Sequence, residues 1–261
     1  MSYETLKLTN KQGKMYHIGM GDGEIARNVL LPGDPGRCEI IAKCFDESKF
    51  VATHREYTTY TGTYQGTDVA VMSTGMGCPS VAIGIEELKH LNCKNLIRVG
   101  TCGGWGYNIK PGTIIIVTGA VRGEGTSLEY VPVEYPAIAN IDVVNALRDA
   151  AKELGVPVEL GLTRSHDAFY KESPGVPEMV EKRIRPWAEA GVKVVENESS
   201  TLFIVSELIG LRAGTILVVL DNIWTGEEID YDDDLPPLVE KMTQIALGAL
   251  VKLQAMDDAQ K

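Results

Sequence analysis

The sequence predicts an α/β fold, a single domain over residues 1–261 with a mixed, mostly parallel central β-sheet flanked by helices. Two observations carry this. Beyond residue 140, segments of helical periodicity alternate with short β-branched runs, the pattern of helices crossing over a sheet. Several of those runs, such as 113–121 and 213–220, are apolar almost without interruption, which marks strands buried on both faces. No repeat, low-complexity tract or linker divides the chain.

Taken in order, residues 1–16 read as a polar N-terminal arm. The apolar run Asn28-Val-Leu-Leu31 is a strand that stops at Pro32-Gly-Asp-Pro-Gly36, and Arg37 to Phe45 continues as a helix. Strands follow at 49–54, 57–64 and 68–73, with Gln65-Gly66 as the turn between the last two. Val81, Ile85, Leu88 and Leu91 share one face of a helix over 79–92. The strand 95–99 runs into Gly100-Thr-Cys-Gly-Gly104, and the strand 113–121 ends near Arg122-Gly-Glu-Gly125. The second half then gives helix 141–154, strand 157–164, helix 177–190, strand 192–196, helix 199–210, strand 213–220 and a final helix over 235–254. The acidic run Glu227 to Asp234 reads as a solvated loop.

Composition removes several function classes. A formal net charge of -11 argues against general affinity for nucleic acid or anionic membranes, so an anion site would depend on locally focused arginines. No apolar leader and no run of transmembrane length is visible. The five cysteines form no C-x-x-C pair, so neither a disulfide framework nor a zinc site is suggested. A cytoplasmic protein without metal is the expectation.

Open α/β sheets bind ligands beyond the carboxyl ends of their strands. Glycines closing a strand just before a helix leave backbone N–H groups pointing at an anion, and Arg37 adds a planar donor fork. Gly33 and Arg37 follow the first strand. Arg98, Gly100 and Thr101 lie on or after the strand 95–99. His166, Asp167, Phe169 and Tyr170 follow 157–164, Glu196, Asn197 and Glu198 close 192–196, and Asp221-Asn222 end 213–220. Singly, most have a structural reading: Arg98 could pair with a buried carboxylate, the glutamates could favour a helix N-terminus, and Asp221 could cap a turn. Together, two arginines, a glycine-rich anion loop and three carboxylates suit an anionic co-substrate beside a polyhydroxylated one.

Leu31-Pro-Gly-Asp-Pro-Gly-Arg37, Arg55-Glu-Tyr57, Ser73-Thr-Gly-Met-Gly77, Arg98-Val-Gly-Thr101, Val121-Arg-Gly-Glu-Gly-Thr-Ser127, Ser165-His-Asp-Ala-Phe-Tyr170, Glu196-Asn-Glu198 and Asp221-Asn222 together resemble the nucleoside phosphorylase-I family, in order from His17 to about Gly226. The resemblance implies phosphate-dependent cleavage of a nucleoside to free base and ribose 1-phosphate. It implies no organic cofactor, inorganic phosphate being the co-substrate. Gly33, Arg37, Arg98 and Thr101 would bind phosphate, joined by Arg55 of a neighbouring subunit, whose His17 would reach the ribose 5′-hydroxyl. The shared site implies a homodimer, and a homohexamer as a trimer of dimers. Glu198 would take the ribose hydroxyls, with Glu196 and Asn197 beside it, and Phe169 would stack on the base. Asp221 stands where purine-cleaving members carry the acid that protonates the leaving base. Arg98, Glu198 and Asp221 are thus the candidate catalytic residues, and a purine nucleoside is the expected substrate.

The chain departs from the family at two places. Asn197 replaces a methionine that packs on the sugar. Lys171-Glu-Ser-Pro-Gly175 lacks the glutamine and arginine with which uridine phosphorylases read uracil, whereas Val121 to Pro136 is closer to the uridine branch. Uridine phosphorolysis is therefore the alternative within the family. A phosphate-independent nucleosidase and a non-catalytic nucleoside-binding protein are the rivals outside it.

Overall fold

In the computed structural model of the chain, which describes residues 6–171, 178 and 180–260, ten strands form one mixed sheet. The strands are β1 (Asn28–Leu31), β2 (Glu47–His54), β3 (Tyr57–Tyr64), β4 (Thr67–Met72), β5 (Asn95–Gly104), β6 (Ile114–Gly123), β7 (Ala137–Ile138), β8 (Glu159–His166), β9 (Val192–Glu196) and β10 (Arg212–Asn222). The helices are α1 (Gly36–Ala42), α2 (Cys78–His90), α3 (Thr126–Tyr130), α4 (Ile141–Glu153), α5 (Arg185–Glu189), α6 (Ser199–Leu208) and α7 (Leu235–Asp258).

Five strands close on themselves. β5 runs parallel to β10, β10 antiparallel to β6, β6 parallel to β8, β8 parallel to β9, and β9 returns antiparallel to β5 through Gly103↔Val195 and Gly104↔Val194. From β5 the sheet extends outward through β1, β4, β3 and β2. Closure leaves the β5–β10–β6–β8–β9 circuit without a free edge, and its apolar strands are buried as their composition requires. α7 covers β1, β4, β5 and β10 and packs along α4, while α2 packs on α6.

Sequence periodicity locates most elements within a few residues, with informative exceptions. β5 does not end at Val99 but continues through the glycines to Gly104, because both β10 and β9 pair with that stretch. Glycine is needed there: a Cβ on Gly104 would stand 2.3 Å from the carbonyl oxygen of Asp221 on β10. The helix expected over 177–190 is present through its described residues but changes type, a π turn over Val180–Ile184 running directly into α5. Pro186, which has no N–H to give, stands in the first turn of α5; residues 177 and 179 lie outside the described residues. The N-terminal arm is not wholly polar surface. Thr9 and Met15 form an antiparallel bridge, and Met15, Ile18 and Met20 are core residues. α3, within Val121 to Pro136, is a helix that no periodicity announces. It is organised by Arg122, whose guanidinium donates to the Ser127 hydroxyl and to the carbonyls of Ser127, Val131, Pro132 and Tyr135.

Candidate active site

The carboxyl ends of β1, β5, β8, β9 and β10 converge on a pocket of ≈ 300 Å³. Of the residues singled out in the sequence, Gly33, Arg37, Arg98, Thr101, Phe169, Glu196, Asn197, Glu198 and Asp221 all line it. Its lining holds an ionic group around Arg98 and an apolar end where Trp105, Val195 and Ile223 pack together, with Phe169 and Leu220 also lining the pocket.

Arg98 sits at the centre of the ionic group. It projects from β5 and is buried, its Nε donating to Glu196 Oε2 at 3.0 Å while its Nη2 pairs with Glu198. Burial opposes the charge on Arg98, but the two glutamates outweigh it and hold the guanidinium protonated. Glu198, equally buried, also accepts the Gly77 N–H at 2.7 Å. That N–H is aimed by a backbone φ of +92° at the start of α2, a conformation that suits glycine. Burial pushes the Glu198 acid upward, against Arg98 and the backbone donors. Arg37, on the first turn of α1, faces the same space. Desolvation disfavours its charge, Asp34 supports it, and Arg98 repels it. Two guanidiniums turned on one pocket gain most from an anion placed between them.

At the apolar end, Asp221 Oδ1 accepts the Gly104 N–H at 3.0 Å, and burial raises its acid above the usual carboxylate range. The turn-capping role falls to the next residue, because Asn222 Oδ1 accepts from the N–H groups of Trp224 and Thr225. Phe169 lines the pocket with its ring partly in solvent, placed where it can cover a flat ligand. Asn197 hydrogen-bonds through Nδ2 to the His166 carbonyl, so its amide ties the end of β8 to the β9–α6 turn.

His17 and Arg55 do not line this pocket; they lie together elsewhere on the surface. Glu87, buried on α2, accepts the backbone N–H groups of His17 and Ile18 and meets His17 Nδ1 at 2.7 Å. The His17 carbonyl meets His54 Nδ1 at 2.7 Å, and the exposed Arg55 lies over the Tyr16 ring. The stretch 172–175, where the uracil-reading pair would stand, lies outside the described residues.

Sequence reasoning left several lining residues out of the candidate site, His166, Trp105 and Tyr231 among them. His166 follows a strand end; burial, then Arg164, push its imidazole down to about 4, so it is neutral at physiological pH. Trp105 was hidden in the glycine run and packs within 6.5 Å of the His166 ring. Tyr231 belongs to the acidic run, which is not a purely solvated loop: Glu228 bridges to Asp221, Ile229 is buried and Tyr231 reaches the pocket. The signal available was Ile229 and Tyr231 themselves, an apolar and an aromatic side chain among carboxylates.

Comparison with known proteins identifies the family. The model of the phosphorylase superfamily matches residues 27–251. The uridine phosphorylase of Thermococcus kodakarensis is 44% identical over 223 residues, covering 83% of this chain and 80% of that protein. The guanosine phosphorylase of Halorubrum lacusprofundi is 37% identical, covering 92% and 99% respectively. The structure of purine nucleoside phosphorylase from Toxoplasma gondii in complex with immucillin-H superposes with a TM-score of 0.87 at 28% identity, over 95% of this chain and all of that one. The glycine-rich loop, the two arginines and the carboxylates thus stand on a shared fold, and the chain belongs to the phosphorylase superfamily as one of its nucleoside phosphorylases.

Proposed function

We propose that the chain catalyses reversible phosphorolysis of uridine to uracil and ribose 1-phosphate. The observation that carries the reaction type is the buried Arg98, which lines the pocket beside Arg37 and pairs with both Glu196 and Glu198. Phosphate held by Gly33, Arg37, Arg98 and Thr101 would lie below the anomeric carbon. Glu198 would accept the ribose hydroxyls and favour positive charge growing on the sugar as the glycosidic bond loosens. Positioning and preorganised charge then supply most of the rate. Uridine is preferred over the purine that Asp221 alone suggests, on the strength of the 44% identical relative named uridine phosphorylase. Purine phosphorolysis remains the second reading, favoured by Asp221 with its raised acid in the pocket and by the relative named guanosine phosphorylase. His17 and Arg55, clustered outside the pocket of their own chain, support a site completed between two copies, with a trimer of such dimers as the assembly.

The test is a panel of uridine, cytidine, guanosine, inosine and adenosine, incubated with and without phosphate, with free base quantified. Phosphate-dependent cleavage led by uridine is expected. Undiminished cleavage without phosphate would identify a nucleosidase instead.

A further inference from the structure

Glu196 is placed beside the nucleoside by the resemblance, yet its carboxylate is already engaged on every side. Oε2 accepts from Arg98 Nε at 3.0 Å and from the backbone N–H groups of Glu198 and Ser199, each at 2.9 Å. Oε1 accepts the Ser165 hydroxyl at 2.5 Å, and Ser165 Oγ in turn accepts the N–H of Ser200 at 2.9 Å. Three of the four donors converge on Oε2, which is saturated, and the fourth takes one of the two acceptor sites on Oε1, so at most one site is left for a sugar hydroxyl. Glu196 itself is 5% exposed. The Arg98 fork that it grips lies against backbone that carries no side chains, with the guanidinium 3.1 Å from where a Cβ on Gly100 would be and 4.0 Å from one on Gly33.

We propose that Glu196 is a positioning residue, which fixes the plane of Arg98 toward phosphate and remains its counter-charge when Glu198 turns to the ribose. The inference rests on the phosphorolysis reading above. Two carboxylates share Arg98 in the structure, and they differ in kind. Besides Arg98, Glu198 is held by backbone N–H groups, those of Gly77 and Asn197, with no side-chain anchor such as Ser165 among the described residues, so it can exchange partners. Glu196 is tied into the α6 N-terminus and, through Ser165, into the end of β8, so it stays. Gripped along its Nε edge, the guanidinium keeps its remaining N–H groups for phosphate. Ser165 extends this hold outward, linking the ends of β8 and β9 and the N-terminus of α6 to a single arginine.

Glu196→Gln separates this role from a simple charge effect, because the two predict opposite signs. Removing a negative charge beside an anion site should, on Coulomb grounds alone, tighten phosphate. Loss of the charged hydrogen bond that orients Arg98 should weaken it, raising the phosphate KM about tenfold or more while the uridine KM changes much less. Ser165→Ala is the companion variant, for it leaves every charge in place and removes only the outer anchor. It should raise the phosphate KM about threefold in the same selective manner, and it decides the question by itself if Glu196→Gln fails to fold. A phosphate KM that falls, stays unchanged or rises in parallel with the uridine KM overturns the proposal while leaving phosphorolysis standing. Wild-type cleavage that needs no phosphate overturns both.

Discussion

At the scale of single residues, the two ends of the pocket ask different things of their carboxylates. Glu196 and Glu198 surround a fixed cation, whereas Asp221 stands at the apolar end, raised by burial and held by one backbone N–H. A carboxyl in such a place can hand a proton to N7 of a departing purine, but uracil has no N7. Asp221→Asn should therefore lower kcat/KM for guanosine and inosine about a hundredfold and leave uridine within about threefold. Steady-state comparison of the three nucleosides checks this, and an equal loss on uridine would mean that Asp221 holds the pocket together instead. Much of the candidate site was legible residue by residue, because Gly33, Arg37, Glu198 and Asp221 fall at or just beyond strand ends, while Arg98 is a charge in an apolar strand and Thr101 stands among its glycines. The function of Glu196 was not legible. A glutamate at a strand end looks the same whether it faces a ligand or four protein donors, and only the donors distinguish them.

At the scale of elements, the instructive case is β5. Its sequence changes from apolar to glycine-rich after Val99, which reads as a strand giving way to a loop. The structure keeps it a strand to Gly104 because the glycines admit the β10 backbone at Asp221. Periodicity describes one segment against an average environment and is blind to a partner strand more than a hundred residues away. α3 and the π turn before α5 have local causes that periodicity does not weigh: the Arg122 side chain orders the first, and Pro186, which has no N–H to give, lies inside the otherwise helical run of the second. Gly104→Ala tests the seam. The added methyl meets a carbonyl oxygen with no flexible side chain to yield, so about 1–3 kcal/mol of stability should be lost to overpacking. Because Gly104 also donates to Asp221, the displacement should reach the pocket. Thermal melts and the guanosine-to-uridine activity ratio, measured together, would show whether strain and site move as one; an unaltered melting temperature would show that the seam yields easily.

At the scale of the whole molecule, the pocket and the His17–Arg55 cluster sit on different parts of one chain. If two copies complete each other's sites, chains carrying His17→Ala and chains carrying Arg37→Ala, each inactive alone, should regain part of the activity when unfolded and refolded together, since half of the sites in a mixed dimer keep both residues. An active monomer by light scattering, or mixtures that stay inactive, would place the complete site within one chain. The closed circuit of strands carries a different consequence, one concerning synthesis. β5 is finished by residue 104, but the strand it must lie against spans Arg212–Asn222, and β9, its other neighbour in the circuit, ends at Glu196. A growing chain therefore carries Arg98 and its glycines out of the ribosome long before the partners that bury them exist. Pairings so distant along the chain form slowly and leave apolar strands exposed in the meantime. The glycine-rich loop and Arg98 are thus translated early and assembled late, and a nascent chain arrested just before Asn222 would hold every arginine of the protein with the pocket still unfinished.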